Sequence, residues 1–351
     1  RGGSPVMIAN DGLRSLRRLM DDVRRLEPGI KTELPAMPQR SVCSGYEFIE
    51  FTTSEEEAEA LSDLLSALGF VHVGNHVSKK VARWAQNDIN ILINSEGSGF
   101  AHSSYEVHGV SACEIALRVD NAGDTVERAR QLGAEVVQTR RADGELLIPA
   151  IRGVGGGMVR FIDRRGDLGD LWEIDFNQVT PAAADSAVGL QTIDHIAQTM
   201  KYEEMLTWTL FYTSIFDADK VAMVDVVDPG GLVRSRPIQN KNGALRVTLN
   251  GAENQNTLAG RFISQTFGAA VQHIAFRSHD IFASAEALVA RGFTPLDISA
   301  NYYDDLGARF GLAPDMLERL ATYNIMYDED AEGRFFQMDG TQTAGEIFFE
   351  S

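Results

Sequence analysis

Cysteine is nearly missing from this chain: Cys43 and Cys113 are the only two in 351 residues. So low a count excludes a disulfide-stapled secreted scaffold and fits a reducing compartment. Positive charge is also short, with 32 Lys and Arg against 50 Asp and Glu and a formal net charge of −18. An acidic surface repels phosphate backbones and anionic lipid, so neither nucleic acid nor a membrane is an expected partner. No run of about eighteen apolar residues occurs, and no signal peptide is visible. What is present is a 44% hydrophobic content and a length sufficient for two or three domains with real cores. The expectation is a globular, cytoplasmic protein. The first residue is Arg1 rather than Met, which reads as a piece of something longer.

The chain opens on a helical pattern. Leu13, Leu16, Leu19, Met20, Val23 and Leu26 form an apolar stripe that one helix cannot bury alone. Residues 1–26 therefore read as a terminal helix of an upstream domain, and 27–44, with Pro28, Pro35 and Pro38, as a linker. From Gly45 onward one pattern recurs four times: a strand, a helix and further strands, three of the helices closing at a glycine. The strands open at Tyr46, Ser111, Ile193 and Val271, and the helices run over 55–68, 125–132, 205–215 and 281–291. Glycine after the last helical turn, as at Gly69, Gly133 and Gly292, is the expected stop. Pro181 and the alanines around it divide the four units into two pairs, 45–180 and 186–351. The predicted class is α+β, built from tandem βαβββ modules, each pair forming a curved half-barrel sheet.

Two of the opening strands read almost alike, Ile193-Asp194-His195-Ile196-Ala197 and Val271-Gln272-His273-Ile274-Ala275. Side chains alternate faces along a strand, so each histidine shares a face with small or aliphatic neighbours. Such a histidine is either a satisfied core residue or a ligand. A third element favours the ligand. The final run Glu346-Ile347-Phe348-Phe349-Glu350 puts a carboxylate on an apolar background. His195 and His273 are 78 residues apart, and His273 and Glu350 are 77 apart, as equivalent places in repeated units should be. Two histidines and one carboxylate make a facial triad that leaves coordination positions open and suits Fe(II) oxygenases. In the first pair, Phe48 occupies the place of His195 and Glu114 that of His273, while Leu171-Trp172-Glu173 reads as a closing strand matching Phe348-Phe349-Glu350. The first pair is therefore expected to be metal-free.

On the Asp-His-Ile and Gln-His-Ile-Ala strands, the run Tyr302-Tyr303-Asp304-Asp305-Leu306 and the closing Phe-Phe-Glu, residues 45–351 resemble the 4-hydroxyphenylpyruvate dioxygenases of the vicinal-oxygen-chelate superfamily. The resemblance implies two halves, each a pair of βαβββ modules, with iron held only in the second. It places His195, His273 and Glu350 on the family's three ligands. It also implies substrate contacts at Ser235, Asn250 and Gln337, with Phe348 as an aromatic wall. Several positions depart from the family: Thr248 for a proline, Leu258 for a substrate-facing glutamine (Gln255 lies nearby), and Asp339 for a ring-stacking phenylalanine. An acid in that last place points to a more polar substrate. Residues 1–26, with Asp11-Gly12 and Ser15-Leu16, are similar to the end of a sugar-phosphate-isomerase-type barrel. Bacterial fusions join such a barrel, acting as a 3-dehydroshikimate dehydratase, to a dioxygenase-like half, and this chain resembles that half.

The resemblance thus implies a divalent metal ion as cofactor and a 2-oxo acid or aromatic precursor as small-molecule partner. With Fe2+, a 2-oxo acid would be decarboxylated oxidatively and its ring hydroxylated. With Mg2+ or Mn2+, the module would be a non-catalytic scaffold, or would hold the barrel in a homo-oligomer.

Overall fold

A computed structural model describes residues 21, 22, 25, 37–138, 141–179, 188–228, 230–330, 333–340 and 348–350, the last three by backbone alone. The helix expected before residue 27 lies outside the described residues, apart from Asp21, Asp22 and Arg25, which are helical. The end of the expected linker is bound to the rest of the chain. Arg40 pairs with Asp217 at 2.7 Å, the Ser41 hydroxyl donates to Asp120, and a strand already begins at Cys43.

The strands before residue 179 make one sheet of nine. They are β1 (Cys43–Thr52), β2 (Val71–His76), β3 (Val81–Gln86), β4 (Ile89–Asn94), β5 (Ser111–Val119), β6 (Val136–Val137), β7 (Ala150–Arg152), β8 (Met158–Ile162) and β9 (Phe176–Gln178). Their order is β6-β7-β8-β5-β1-β4-β3-β2-β9. Each module thus folds its opening strand beside its fourth, with β1 parallel to β4 and β5 parallel to β8. The order 1-4-3-2 appears twice, back to back across β5 and β1.

The strands after residue 189 are β10 (Leu190–Lys201), β11 (Ala218–Lys220), β12 (Val224–Asp228), β13 (Gly231–Asn240), β14 (Arg246–Ala252), β15 (Ala270–Ser278), β16 (Met326–Glu329), β17 (Arg334–Gln337) and β18 (Phe348–Glu350). Seven of them form a sheet in the order β11-β13-β14-β10-β15-β18, with β12 also paired to β13. The third module repeats the 1-4-3-2 order. The fourth departs from it, because among the described residues β16 and β17 pair only with each other.

The helices are α1 (Glu55–Ala67), α2 (Gly99–His108), α3 (Ala122–Gln131), α4 (Leu171–Ile174), α5 (Met205–Ile215), α6 (Leu258–Gln265), α7 (Ile281–Ala290), α8 (Ala300–Phe310) and α9 (Pro314–Thr322). Ser54 starts α1 with a capping box: its side chain accepts from the Glu57 amide, and the Glu57 carboxylate accepts from the Ser54 amide. Helices α1, α3 and α7 end in the same device. Gly69, Gly133 and Gly292 sit at φ +81°, +89° and +89°, and the following amide reaches back to Leu65, Ala129 and Leu288 respectively. Among the described residues no helix is long and apolar enough to cross a membrane.

One expected strand is a helix. Leu171-Trp172-Glu173 forms the single turn α4, continuing a 3-10 turn over Gly166–Asp170, and the sheet is closed instead by β9. Leu171 is buried in that turn. A run of three residues carries no period that separates strand from helix.

The described residues divide into two compact units. One draws on Arg1–Tyr46, Glu114–Ile174 and Gln198–Ala270, the other on Glu47–Cys113, Asp175–Ala197 and Val271–Ser351. Inside the first, Phe161 meets Phe216 at 6.0 Å, Phe216 meets fully buried Tyr212 at 6.2 Å, and Leu249 is also fully buried. Inside the second, Phe70 meets Phe276 at 5.7 Å, and Ile49, Phe51, Leu61 and Leu65 are fully buried. Burying each such side chain contributes about 1.5–3 kcal/mol, offset by the entropy of ordering it.

Candidate metal centre

Strands β10, β15 and β18 are consecutive neighbours in the seven-stranded sheet, and each carries one of the three expected ligands. His195 lies on β10, its strand neighbours Ile193 and Ala197 buried, and His273 lies on β15 between buried Val271 and Ala275. Strand pairing brings the two rings to a centroid distance of 5.5 Å at an interplanar angle of 81°. Both are partly exposed. Ring nitrogens bind a metal at about 2.0–2.1 Å, just beyond the ring edge, so two rings at this separation can meet at one ion.

The third position follows from register. Strand β18 runs parallel to β15, with Phe348 opposite His273 and Glu350 opposite Ala275. Glu350 thus stands at the backbone position two residues on from His273, one strand over. Its side chain lies outside the described residues, and among the described residues no group of three His, Cys, Asp or Glu side chains is arranged to hold a metal. The two imidazoles plus that carboxylate make a candidate donor set of the kind that suits a hard or borderline divalent ion.

His195 has a defined orientation. Its Nδ1 lies 3.0 Å from Asp194 Oδ2, while the other carboxylate oxygen of Asp194 accepts from the Arg277 guanidinium at 2.7 Å. The sequence shows Asp194 only as part of the Asp-His-Ile strand, without a role, and does not single out Arg277. An aspartate preceding a strand histidine should face the other way, and nothing in the sequence pairs it with an arginine 83 residues downstream.

The corresponding places in the first half are differently filled. Phe48 is buried and offers no donor. Glu114, at the position of His273, is 4% exposed and takes both oxygens to Arg160, the longer contact being 3.0 Å. The register places Arg160 beside Ala116, two residues along from Glu114 on the next strand. A carboxylate already neutralised by a bidentate guanidinium has no net charge left to attract a cation.

The expected substrate residues fall into two groups. Ser235 on β13 and Asn250 on β14 are direct cross-strand partners. Both belong to the first compact unit, whereas the two histidines, Gln337 and Phe348 belong to the second. Gln337 ends β17, and its side-chain amide donates to Asp339 at 2.8 Å. Phe348 takes the register position beside His273, and its side chain lies outside the described residues. Leu258 opens α6 and is 57% exposed. The Tyr302–Leu306 run lies in α8, where the Tyr302 hydroxyl accepts from the Tyr327 amide at 2.9 Å and donates to its carbonyl at 3.1 Å. That run serves packing: Tyr303 and Leu306 are buried.

A family model described as the N-terminal part of hydroxyphenylpyruvate dioxygenase matches residues 40–177. The 4-hydroxyphenylpyruvate dioxygenase of Pseudomonas aeruginosa is 32% identical over 310 residues, covering 87% of this chain and 87% of that protein. The chain belongs to the 4-hydroxyphenylpyruvate dioxygenase family. Its mixed α+β fold, two large sheets of paired βαβββ modules, is that of the dioxygenase family. The 3-dehydroshikimate dehydratase of the same organism is 40% identical over 330 residues, which are 93% of this chain and 52% of that protein. The chain thus spans about half the length of such relatives. A solved structure titled a xylose isomerase-like TIM barrel/4-hydroxyphenylpyruvate dioxygenase fusion protein superposes with a TM-score of 0.78 at 36% identity, over 97% of this chain and 55% of that one. This dioxygenase-like chain is therefore homologous to the C-terminal part of 3-dehydroshikimate dehydratases.

Proposed function

We propose that the chain is the dioxygenase-like half of a fused 3-dehydroshikimate dehydratase of aromatic-compound catabolism, in which a barrel half turns 3-dehydroshikimate into protocatechuate. In this reading the present half holds one divalent ion through His195, His273 and Glu350. The observation that carries it is the meeting of the two histidine rings at 5.5 Å on neighbouring strands, with Glu350 in register on the next. Fe(II) held there would supply Lewis-acid and oxygen-activating chemistry toward a 2-oxo acid. The residues' own part is orientation. Ser235 and Asn250 present a hydroxyl and an amide at one cross-strand position, a pair able to hold a polar substrate group. The test is elemental analysis and oxygen uptake over a panel of 2-oxo acids. One equivalent of iron with uptake supports the dioxygenase, and two equivalents, or none, overturns the single site.

A second reading, a Mg2+- or Mn2+-binding scaffold without turnover, is favoured by the bond between Gln337 and Asp339. It takes up one amide N–H of the glutamine expected to face substrate. An ionised carboxylate beside a hydroxyphenyl ring is costly unless paired, and Leu258 lacks the hydrogen bond a phenol needs. With either metal, 4-hydroxyphenylpyruvate is expected to turn over more slowly than about 1 per second. Faster turnover, followed by oxygen electrode, would show that neither substitution bears on the substrate.

A further inference from the structure

We infer that Asp194 is a positioning residue for the metal centre, setting the tautomer of His195, and that Arg277 in turn holds Asp194. The inference rests on the reading that His195 is a metal ligand. A carboxylate can only accept hydrogen bonds when ionised, so the 3.0 Å contact between Asp194 Oδ2 and His195 Nδ1 requires the proton on Nδ1. A neutral imidazole protonated there carries its lone pair on Nε2, the nitrogen at the far end of the ring. The contact therefore selects, before any ion arrives, the form of His195 that can bind one. A carboxylate or carbonyl on the second nitrogen of a ligating histidine raises ligand basicity and fixes the ring's direction.

Asp194 needs an anchor to do this. It precedes His195 on β10, and consecutive strand residues face opposite ways. Left alone, its carboxylate would turn to solvent. Arg277 on the neighbouring strand β15 holds the other oxygen at 2.7 Å, so the carboxylate is fixed between guanidinium and imidazole. Asp194 is 18% exposed and Arg277 57% exposed, so the histidine contact is the sheltered one and the arginine contact is open to solvent screening. Removing Asp194 should thus cost more than removing Arg277. The same strand pair carries His273, so one pairing sets both the ligands and their support.

The test uses the full chain, stripped of metal and titrated with Co2+ while its visible absorption and binding heat are followed. Asp194→Ala should weaken Co2+ binding by about 10- to 100-fold. Asp194→Asn, whose amide oxygen still accepts from Nδ1, should recover most of that loss, and Arg277→Ala should lose only a few-fold. In metal-free protein labelled with 15N-histidine, His195 should show the Nδ1–H form, becoming a mixture of tautomers in Asp194→Ala. That signal is assigned by its disappearance in His195→Gln, and packing alone would not move it. Wild-type Co2+ affinity in Asp194→Ala, or an Nε2–H form of His195 in the native protein, overturns the inference. His195→Ala separates the two levels of argument. If it keeps full Co2+ affinity, the metal reading itself fails; if it loses affinity while Asp194→Ala does not, only the positioning role fails. Should Asp194→Ala not fold, the native tautomer and the Arg277→Ala titration decide.

Discussion

Position by position, the two halves of the chain treat the same places in opposite ways. His195 and His273 are partly exposed rings within reach of one ion, and replacing either by alanine removes a donor without emptying a core. His195→Ala and His273→Ala should each lower metal content to background, measured after desalting, with the melting temperature of the metal-free protein moved by only a few degrees. Glu114 and Arg160, by contrast, form a buried pair, 4% and 13% exposed. Arg160→Met leaves a buried charge without its partner and should cost about 3–5 kcal/mol in urea unfolding. Adding Glu114→Leu should restore most of that loss, since an apolar pair of similar volume avoids the desolvation penalty. If the single and double variants unfold alike, Glu114 is stabilised by something other than Arg160.

Among the elements, the turn between β7 and β8 is the most constrained. Gly155 sits at φ +64°, and a Cβ there would lie 1.7 Å from the carbonyl oxygen of Ala269. Gly155→Ala should therefore destabilise by about 2 kcal/mol or more, combining left-handed strain with the overlap. Gly144→Ala, at φ +90° with nothing within 4 Å, isolates the strain alone and should cost less. Chemical denaturation of both checks the difference. The elements that repeat were legible in the sequence, because Gly69, Gly133 and Gly292 mark helix ends by a backbone requirement that any reader can see. Helices α2, α6, α8 and α9 were not, since α2 and α6 fall between modules, α8 and α9 are inserted within the fourth, and none answers to a repeat. The histidines were legible because a strand's period puts them on a defined face. Their supports, Asp194 and Arg277, were not, nor was the partner of Glu114. Each depends on which strands lie side by side, and strand order is not written in any local window.

For the molecule as a whole, alkali should be more damaging than neutral salt. Burial pushes the Cys43 thiol up to about 12 and the Tyr303 phenol up to about 12, and raises Tyr212 as well. Each is held protonated in the fold, while the unfolded chain releases its protons at the ordinary values, about 9 for the thiol and about 10 for the phenols. The stability they contribute is whole below about pH 9 and is lost as pH rises toward 12. A net charge of −18 adds self-repulsion in the same direction. Urea midpoints should fall steadily from pH 9 to 11, and Cys43→Ala should flatten the first part of that fall. Longer-term change in this protein has a different lever, the turn that joins β13 to β14. Asn240 pins it, accepting from the Leu245 amide at 3.0 Å and donating to the Cys43 carbonyl at 2.7 Å. Ser235 faces Asn250 only because that turn has its present length. Inserting one residue would swing Asn250 to the opposite face of the sheet, and inserting two would keep the face but slide it by about 6.8 Å. A change in loop length alone can therefore undo the pairing of Ser235 with Asn250, with neither residue substituted.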